Sequence, residues 1–315
     1  MAGYPYRPEL KKPGPIHSID FSNPVLAPMV GLVVRNQREA ARNWRPPEGV
    51  ALWMLPIPSW DGEPVDCFVV EPETDEALPG MLFCHGGGFF LPVQTTALEL
   101  AAVYARKLRL RVFLPDYRIL PQHPNPYPFQ DCRAVWKQMA EQGEAHRLDG
   151  RLLLYGESAG GALAAGLAQL LRDEGGPQPR GQALIYPVLD NQSEVYPSME
   201  RYNGAVWTKR NNDYMWSAYL KNGFQGLEPY IVPMSGGLSG LPPAYIEPQE
   251  IDILRDEAAA YAEKLGQAGV PVELNIVQGS YHGFDADVEN PFVQQVIAQR
   301  LQAMVGMLAD TNSTR

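Results

Sequence analysis

The stretch RLLLYGESAGGALAAGLAQLL, residues 151–171, decides the architecture. RLLLY is apolar without alternation, the pattern of a strand covered on both faces. GALAAGLAQLL, from Gly161, is rich in Ala and Leu, the best helix formers. Between them stands Gly156-Glu157-Ser158-Ala159-Gly160, a G-x-S-x-G arrangement. A strand that turns into a helix over so few residues forces Ser158 into strained backbone angles. A side chain at either flanking glycine would collide with neighbouring elements. The serine hydroxyl then stands clear of the sheet, at a helix N-terminus whose dipole favours developing negative charge.

The same alternation runs outward from this point. Apolar runs at 81–84 (MLFC), 111–115 (RVFLP), 182–187 (QALIYP), 244–248 and 271–277 (PVELNIV) alternate with helical segments near 96–107, 129–142, 159–174, 253–268 and 292–308. Right-handed crossovers then give an α/β fold with a mostly parallel central sheet and helices on both faces. Upstream, ALWMLPIPS and EPVDCFVVEP flank Trp60-Asp61-Gly62, a hairpin signal for two antiparallel strands. Residues 1–48 are Pro-rich at both ends, with a helix-like middle from Val25 to Asn43. Residues 191–240 break the rhythm. They carry Tyr196, Tyr202, Trp207, Tyr214, Trp216 and Tyr219, and suit a surface insertion with its own small core or a cap over a site. The chain thus divides into a cap segment at 1–48, core at 49–190, a cap insertion at 191–225 and core again at 226–315. No internal repeat is visible.

Composition narrows the function classes. The chain has 315 residues and a net charge of −10 with no basic cluster, a poor match to nucleic acid or an anionic membrane. Cys67, Cys84 and Cys132 are too few and too scattered for a disulfide framework or a zinc site. They suit a reducing compartment and small core positions. The N-terminus has no apolar secretory core, and no run approaches the ~18 apolar residues of a membrane helix. The expectation is a cytoplasmic protein without a membrane span. Its 29 glycines and 30 prolines imply many turns.

A serine hydroxyl is a weak nucleophile and needs a base held by a carboxylate. Of the five histidines, His17, His123 and His146 lie in polar or Pro-rich stretches and read as surface residues. His85 opens His85-Gly86-Gly87-Gly88 directly after MLFC and suits a brace for that loop. Its glycines let backbone N–H groups of Gly86, Gly87 and Gly88 approach a substrate oxygen together with that of Ala159. No Lys follows at the spacing of a phosphate-binding loop. His282, in GSYHGF after PVELNIV, falls at the sheet edge that carries Ser158, and Asp252 falls at the same edge after the preceding strand. Asp252 is preferred over Glu250, Asp256 and Asp285: Asp256 should face away on its helix, and Asp285 is close to His282 in sequence.

Four stretches together resemble the hormone-sensitive-lipase-like branch of the α/β-hydrolases: HGGGF (85–89), DYRILPQHPNPYP (116–128), GESAGG (156–161) and IDILRDEAAAYAEKL through YHGFD (251–285). The order Ser158, Asp252, His282 is the order of that fold. The resemblance implies a carboxylesterase for short- to medium-chain acyl esters, with no cofactor and no metal, and with a cap made of the N-terminal segment plus the insertion after the sixth strand. It implies Ser158, Asp252 and His282 as the triad, and the HGGG glycines with Ala159 as oxyanion hole. The partners expected are a small ester and water, and both monomer and homodimer stay open, a dimer using the last strand of the sheet. Amide, lactone or deacetylase chemistry, and a non-catalytic receptor on the same fold, are the competing readings. Glu157 stands where Asp is common, Ile119-Leu120 where Leu-Ala is usual, and 247–250 read Glu-Pro-Gln-Glu. Pocket aromatics are expected from Phe89, Phe90, Trp216, Tyr281 and Phe284.

Overall fold

The computed structural model describes residues 3–11 and 19–309. The hairpin opens the sheet. β1 (Val50–Pro58) pairs antiparallel with β2 (Pro64–Pro72), in a register that sets Val50 opposite Pro72 and Pro58 opposite Pro64. Then β3 (Leu78–Cys84), β4 (Arg111–Pro115), β5 (Leu148–Glu157), β6 (Gly181–Ile185) and β7 (Ala244–Glu247) alternate with helices. With β9 (Val272–Leu274) they form an eight-stranded sheet ordered β1-β2-β4-β3-β5-β6-β7-β9. From β4 to β9 every neighbour pair is parallel.

Period-two alternation sorts the strand side chains into two cores. In β3, Leu82 and Cys84 join one apolar core, and Met81 and Phe83 join the other. The first core packs under α3 (Tyr127–Glu141), α4 (Ala159–Glu174) and α8 (Arg255–Gln267). The second packs under α2 (Thr95–Leu108) and α9 (Pro291–Leu308). All three cysteines are free and buried, and burial pushes the Cys67 and Cys132 thiols up, so they rest as protonated core side chains.

One expected strand is divided. PVELNIV does not run through: β9 stops at Leu274, and β10 (Val277–Tyr281) pairs in parallel with β8 (Gln249–Ile251) as a separate two-stranded ribbon. The cause is Pro248. It has no N–H to extend the ladder past β7, so the two chains bend together there. The Asn275 N–H reaches the Ile246 carbonyl at 2.9 Å, and the next ladder bond runs from Val277 N to the Pro248 carbonyl at 3.0 Å. This bend carries both Asp252 and His282 away from the main sheet and over Ser158.

The two segments that broke the rhythm lie against each other. α1 (Ala27–Asn43) matches the helix expected near 25–43, and the insertion supplies α5 (Pro197–Arg201) and α6 (Lys209–Tyr219). Asn211 on α6 ties them: its Nδ2 donates to the Ile19 carbonyl at 2.8 Å, and its Oδ1 accepts from the Phe21 N–H. His123 and His146 are half-buried rather than surface residues, with His146 packed between the rings of Trp53 and Phe113. His17 lies outside the described residues. No helix among the described residues is long and apolar enough to cross a membrane.

Candidate active site

Ser158 sits at the turn from β5 into α4 with φ 52° and ψ −120°, a conformation L-residues avoid. The turn is held from both sides: Ser158 N donates to the Ile185 carbonyl at 3.0 Å, and Val188 N donates to the Ser158 carbonyl at 2.9 Å. The flanking glycines are there for close approach. A Cβ on Gly160 would lie 2.5 Å from the His85 carbonyl oxygen, and one on Gly156 would lie 2.8 Å from Ala164 Cβ. Such overlaps cannot be relieved by rotating a side chain.

His282 follows β10, and its Nε2 stands 2.9 Å from Ser158 Oγ. Its Nδ1 is 2.7 Å from Asp252 Oδ2. With the proton on Nδ1, the ring donates to the carboxylate and Nε2 is left to accept from the serine hydroxyl. Asp252 is buried, and its Oδ1 accepts from the Leu254 N–H, which fixes the carboxylate plane. The competing carboxylates point elsewhere. Glu250 accepts from the Gly279 N–H, Asp256 accepts from the Ser198 N–H, and Asp285 pairs with Arg300. The imidazole is flanked by the ring of Tyr186 at 4.7 Å and by that of Trp207 at 6.3 Å.

The HGGG loop lies directly against the serine; a Cβ on Gly86 would lie 3.3 Å from Ser158 Cβ. Gly87 and Gly88 take φ of 109° and 61°, which only glycine adopts without strain. Among the described residues, neither the Gly87 nor the Gly88 N–H is taken by a backbone acceptor in the turn. His85 braces the loop from behind, with Nδ1 2.7 Å from the Gly86 carbonyl and its ring stacked on Tyr117 at 4.1 Å. Tyr117 in turn donates to the His85 carbonyl at 2.8 Å. Burial pulls the His85 pKa down to about 4, so it is neutral at pH 7.

Below the turn lies a buried polar network. Arg300 on α9 is fully buried and binds Glu247 through Nη2 (2.6 Å) and Nε (2.9 Å), and Asp285 through Nη1 (2.7 Å). Asp285 also accepts from the Tyr186 hydroxyl at 2.9 Å, linking the arginine to the ring that flanks His282. Glu157 accepts from Tyr155. Burial, reinforced by the Asp285 charge, raises its pKa to about 8, so Glu157 is mostly protonated at neutral pH. No group of three or more His, Cys, Asp and Glu able to hold a metal occurs among the described residues.

A cavity of about 400 Å³ opens onto Ser158 and His282, walled by Phe21, Leu91, Leu100, Tyr186 and Trp207. The five aromatics expected to line it do not. Phe89 is buried against Tyr219 at 4.1 Å. Trp216 is buried beside the same tyrosine. Tyr281 packs edge-on to Tyr6 and donates to the Lys11 carbonyl, and Phe284 packs on Phe292. Phe90 lines a neighbouring cavity instead. In each case the ring is taken up by packing away from the cavity. Tyr186 follows β6 at the sheet edge that holds Ser158 and His282, and ligands gather at that edge in open α/β sheets, so the rule could have found it. Phe21 and Trp207 carry no such signal.

A model of the alpha/beta hydrolase fold matches residues 81–286. The chain belongs to the alpha/beta hydrolase family. Within this family it is 36% identical over 238 residues to the carboxylic ester hydrolase LipN of Mycobacterium tuberculosis, covering 73% of this chain. It is 34% identical to the carboxylesterase NlhH of the same species, covering 68% of each chain. The chain spans 63% of the length of LipN and 55% of that of Lipase 2 from Moraxella. Among solved structures, a bacterial heroin esterase superposes with a TM-score of 0.84 at 31% identity, over 97% of this chain and 98% of that one. The esterase LipW of Mycobacterium marinum gives 0.82 at 30% identity, over 95% and 99%. The hormone-sensitive-lipase-like branch read from the motifs is the branch these relatives support.

Proposed function

We propose that the protein is a serine carboxylesterase acting on short- to medium-chain acyl esters. The single observation that carries the reading is the relay Ser158 Oγ–His282 Nε2 at 2.9 Å and His282 Nδ1–Asp252 Oδ2 at 2.7 Å. Ser158 Oγ attacks the ester carbonyl while His282 Nε2 takes its proton. The charge that develops on the carbonyl oxygen falls to the N–H groups of Gly87, Gly88 and Ala159. The imidazolium, stabilised by Asp252, returns the proton to the departing alkoxide. Water then repeats the attack on the acyl-serine, with His282 again as base, and releases the acid. The esterase names of the relatives support the same chemistry.

Residues 1–48 and 191–225 act as one cap over the serine in this reading. The Asn211 contacts that join them support it. The buried, unpaired cysteines support a reducing, cytoplasmic setting. A homodimer through the open sheet edge would use β9, whose Glu273 and Leu274 are exposed. The reading is tested with p-nitrophenyl butyrate. Ser158→Ala should abolish turnover with the thermal transition unchanged; retained hydrolysis in a folded variant overturns it.

A further inference from the structure

A second cavity, of about 560 Å³, adjoins the reactive one, and Phe21 is the side chain that lines both. Its ring is layered between two others. Trp207 lies on the side of the serine at 6.2 Å, and Phe90 lies on the far side at 4.8 Å, within 9° of parallel. Tyr214 extends the layer behind Phe90, 5.6 Å away and 4° from parallel. The partition is anchored, because Asn211 grips the chain directly before the ring with two bonds, at the Ile19 carbonyl and the Phe21 N–H. Beyond it, Ala27, Val30 and Val34 of the α1 region, with Ile119 and Leu120, form apolar walls. The cations at the rim already have partners: Arg38 pairs with Asp116, and Arg118 with Asp61 and Asp131. Burial lowers the pKa of His123, the remaining basic side chain lining it, which favours its neutral form. The far compartment therefore suits an alkyl chain and offers no free charge to a carboxylate.

We infer that Phe21 is a specificity-determining residue that ends the reactive cavity, so that removing its ring admits the distal methylenes of a linear ester arm into the second compartment, which Phe21 and Phe90 both line. This rests on the esterase reading and names its substrate class: esters whose arm on this side is short. Ligand pockets span ~300–1,000 Å³; the reactive cavity alone lies near the bottom of that range, and the two joined lie near the top. Each methylene that leaves water is worth a factor of about four in kcat/KM.

The test compares kcat/KM for two pairs of substrates, p-nitrophenyl octanoate against acetate for the acyl arm, and octyl against ethyl acetate for the alcohol arm. In Phe21→Ala, one of the two long-to-short ratios should rise at least tenfold. Val34→Phe, which enlarges a wall of the far compartment, should leave the parent ratios unchanged and should cancel the gain when combined with Phe21→Ala. Asn211→Ala, which frees the segment but keeps the ring, should give less of the gain than Phe21→Ala. Unchanged ratios in Phe21→Ala overturn the inference, as does a gain that survives Val34→Phe or is matched by Asn211→Ala. A parent protein that turns over none of the four esters instead refutes the esterase reading itself.

Discussion

Replacing Arg300 by Met should be among the most costly single changes in this chain. The guanidinium is fully buried and makes three short contacts, two to Glu247 and one to Asp285. Methionine fills much of the volume, so the cost comes from two carboxylates left unpaired in the interior. Breaking a buried pair in this way typically costs about 3–5 kcal/mol. At about 2 °C per kcal/mol, the lower end for large domains, the melting temperature at pH 7 should fall by roughly 6–10 °C. Asp285 also holds the Tyr186 hydroxyl, and Tyr186 packs on His282, so kcat should fall in the folded variant. Thermal and urea denaturation of the purified protein measure the first effect. The sharper check is the triple variant Arg300→Met, Glu247→Gln, Asp285→Asn, which removes the charges together and should recover most of the loss. A single variant within about 2 °C of the parent, or a triple no better than the single, refutes the reasoning.

Asp252→Asn should lower kcat by about 10³–10⁴ with KM little changed, because the amide favours the wrong His282 tautomer; steady-state kinetics on p-nitrophenyl butyrate decide it. Gly160→Ala should prevent a native elbow, since its Cβ meets the Cys84 and His85 carbonyl groups, and soluble protein with parental activity would contradict the geometry. Glu157 binds a proton in the folded state up to about pH 8, which the unfolded chain releases near its ordinary value of 4.5. Its contribution to stability is therefore fully present below about 4.5 and is lost as the pH rises through 8. Glu157→Gln should flatten the decline of melting temperature between about pH 5 and 8, and parallel curves for the two proteins would rule the titration out.

The parts of the site that could be read from sequence are those whose chemistry is local. The glycines at 156 and 160 announce a turn that no other residue can make, and the run before them and the helix after them place Ser158 at the carboxyl edge. His282 and Asp252 follow because the edge of a parallel sheet is a single place, reached by each successive loop. The cavity walls are legible to no such rule. Phe89, Trp216, Tyr281 and Phe284 are aromatic and near the motifs, yet each is taken up by packing against other rings away from the cavity, Phe89 on Tyr219 and Tyr281 on Tyr6 among them. Phe21 and Trp207 reach the site through an encounter between residues 19–21 and 207–211, and nothing in either stretch records the other. The break in PVELNIV was likewise written elsewhere, in Pro248 on the neighbouring strand.

Residues 7–11 of the cap segment are stitched to residues 279–290. Arg7 N donates to the Gly279 carbonyl, Lys11 pairs with Asp287, and Asn290 Nδ2 donates to the Glu9 carbonyl. During synthesis these partners emerge some 270 residues apart, which at ~5–20 residues per second leaves the early segment waiting roughly 15–50 s. His282 is made in that same late interval. His282 and the partners of residues 7–11 are therefore made only after the strands through β7, so the nucleophile meets its base and this segment its anchors in the same late interval. A nascent chain of this kind has no assembled Ser158–His282 pair until residue 282 has been made.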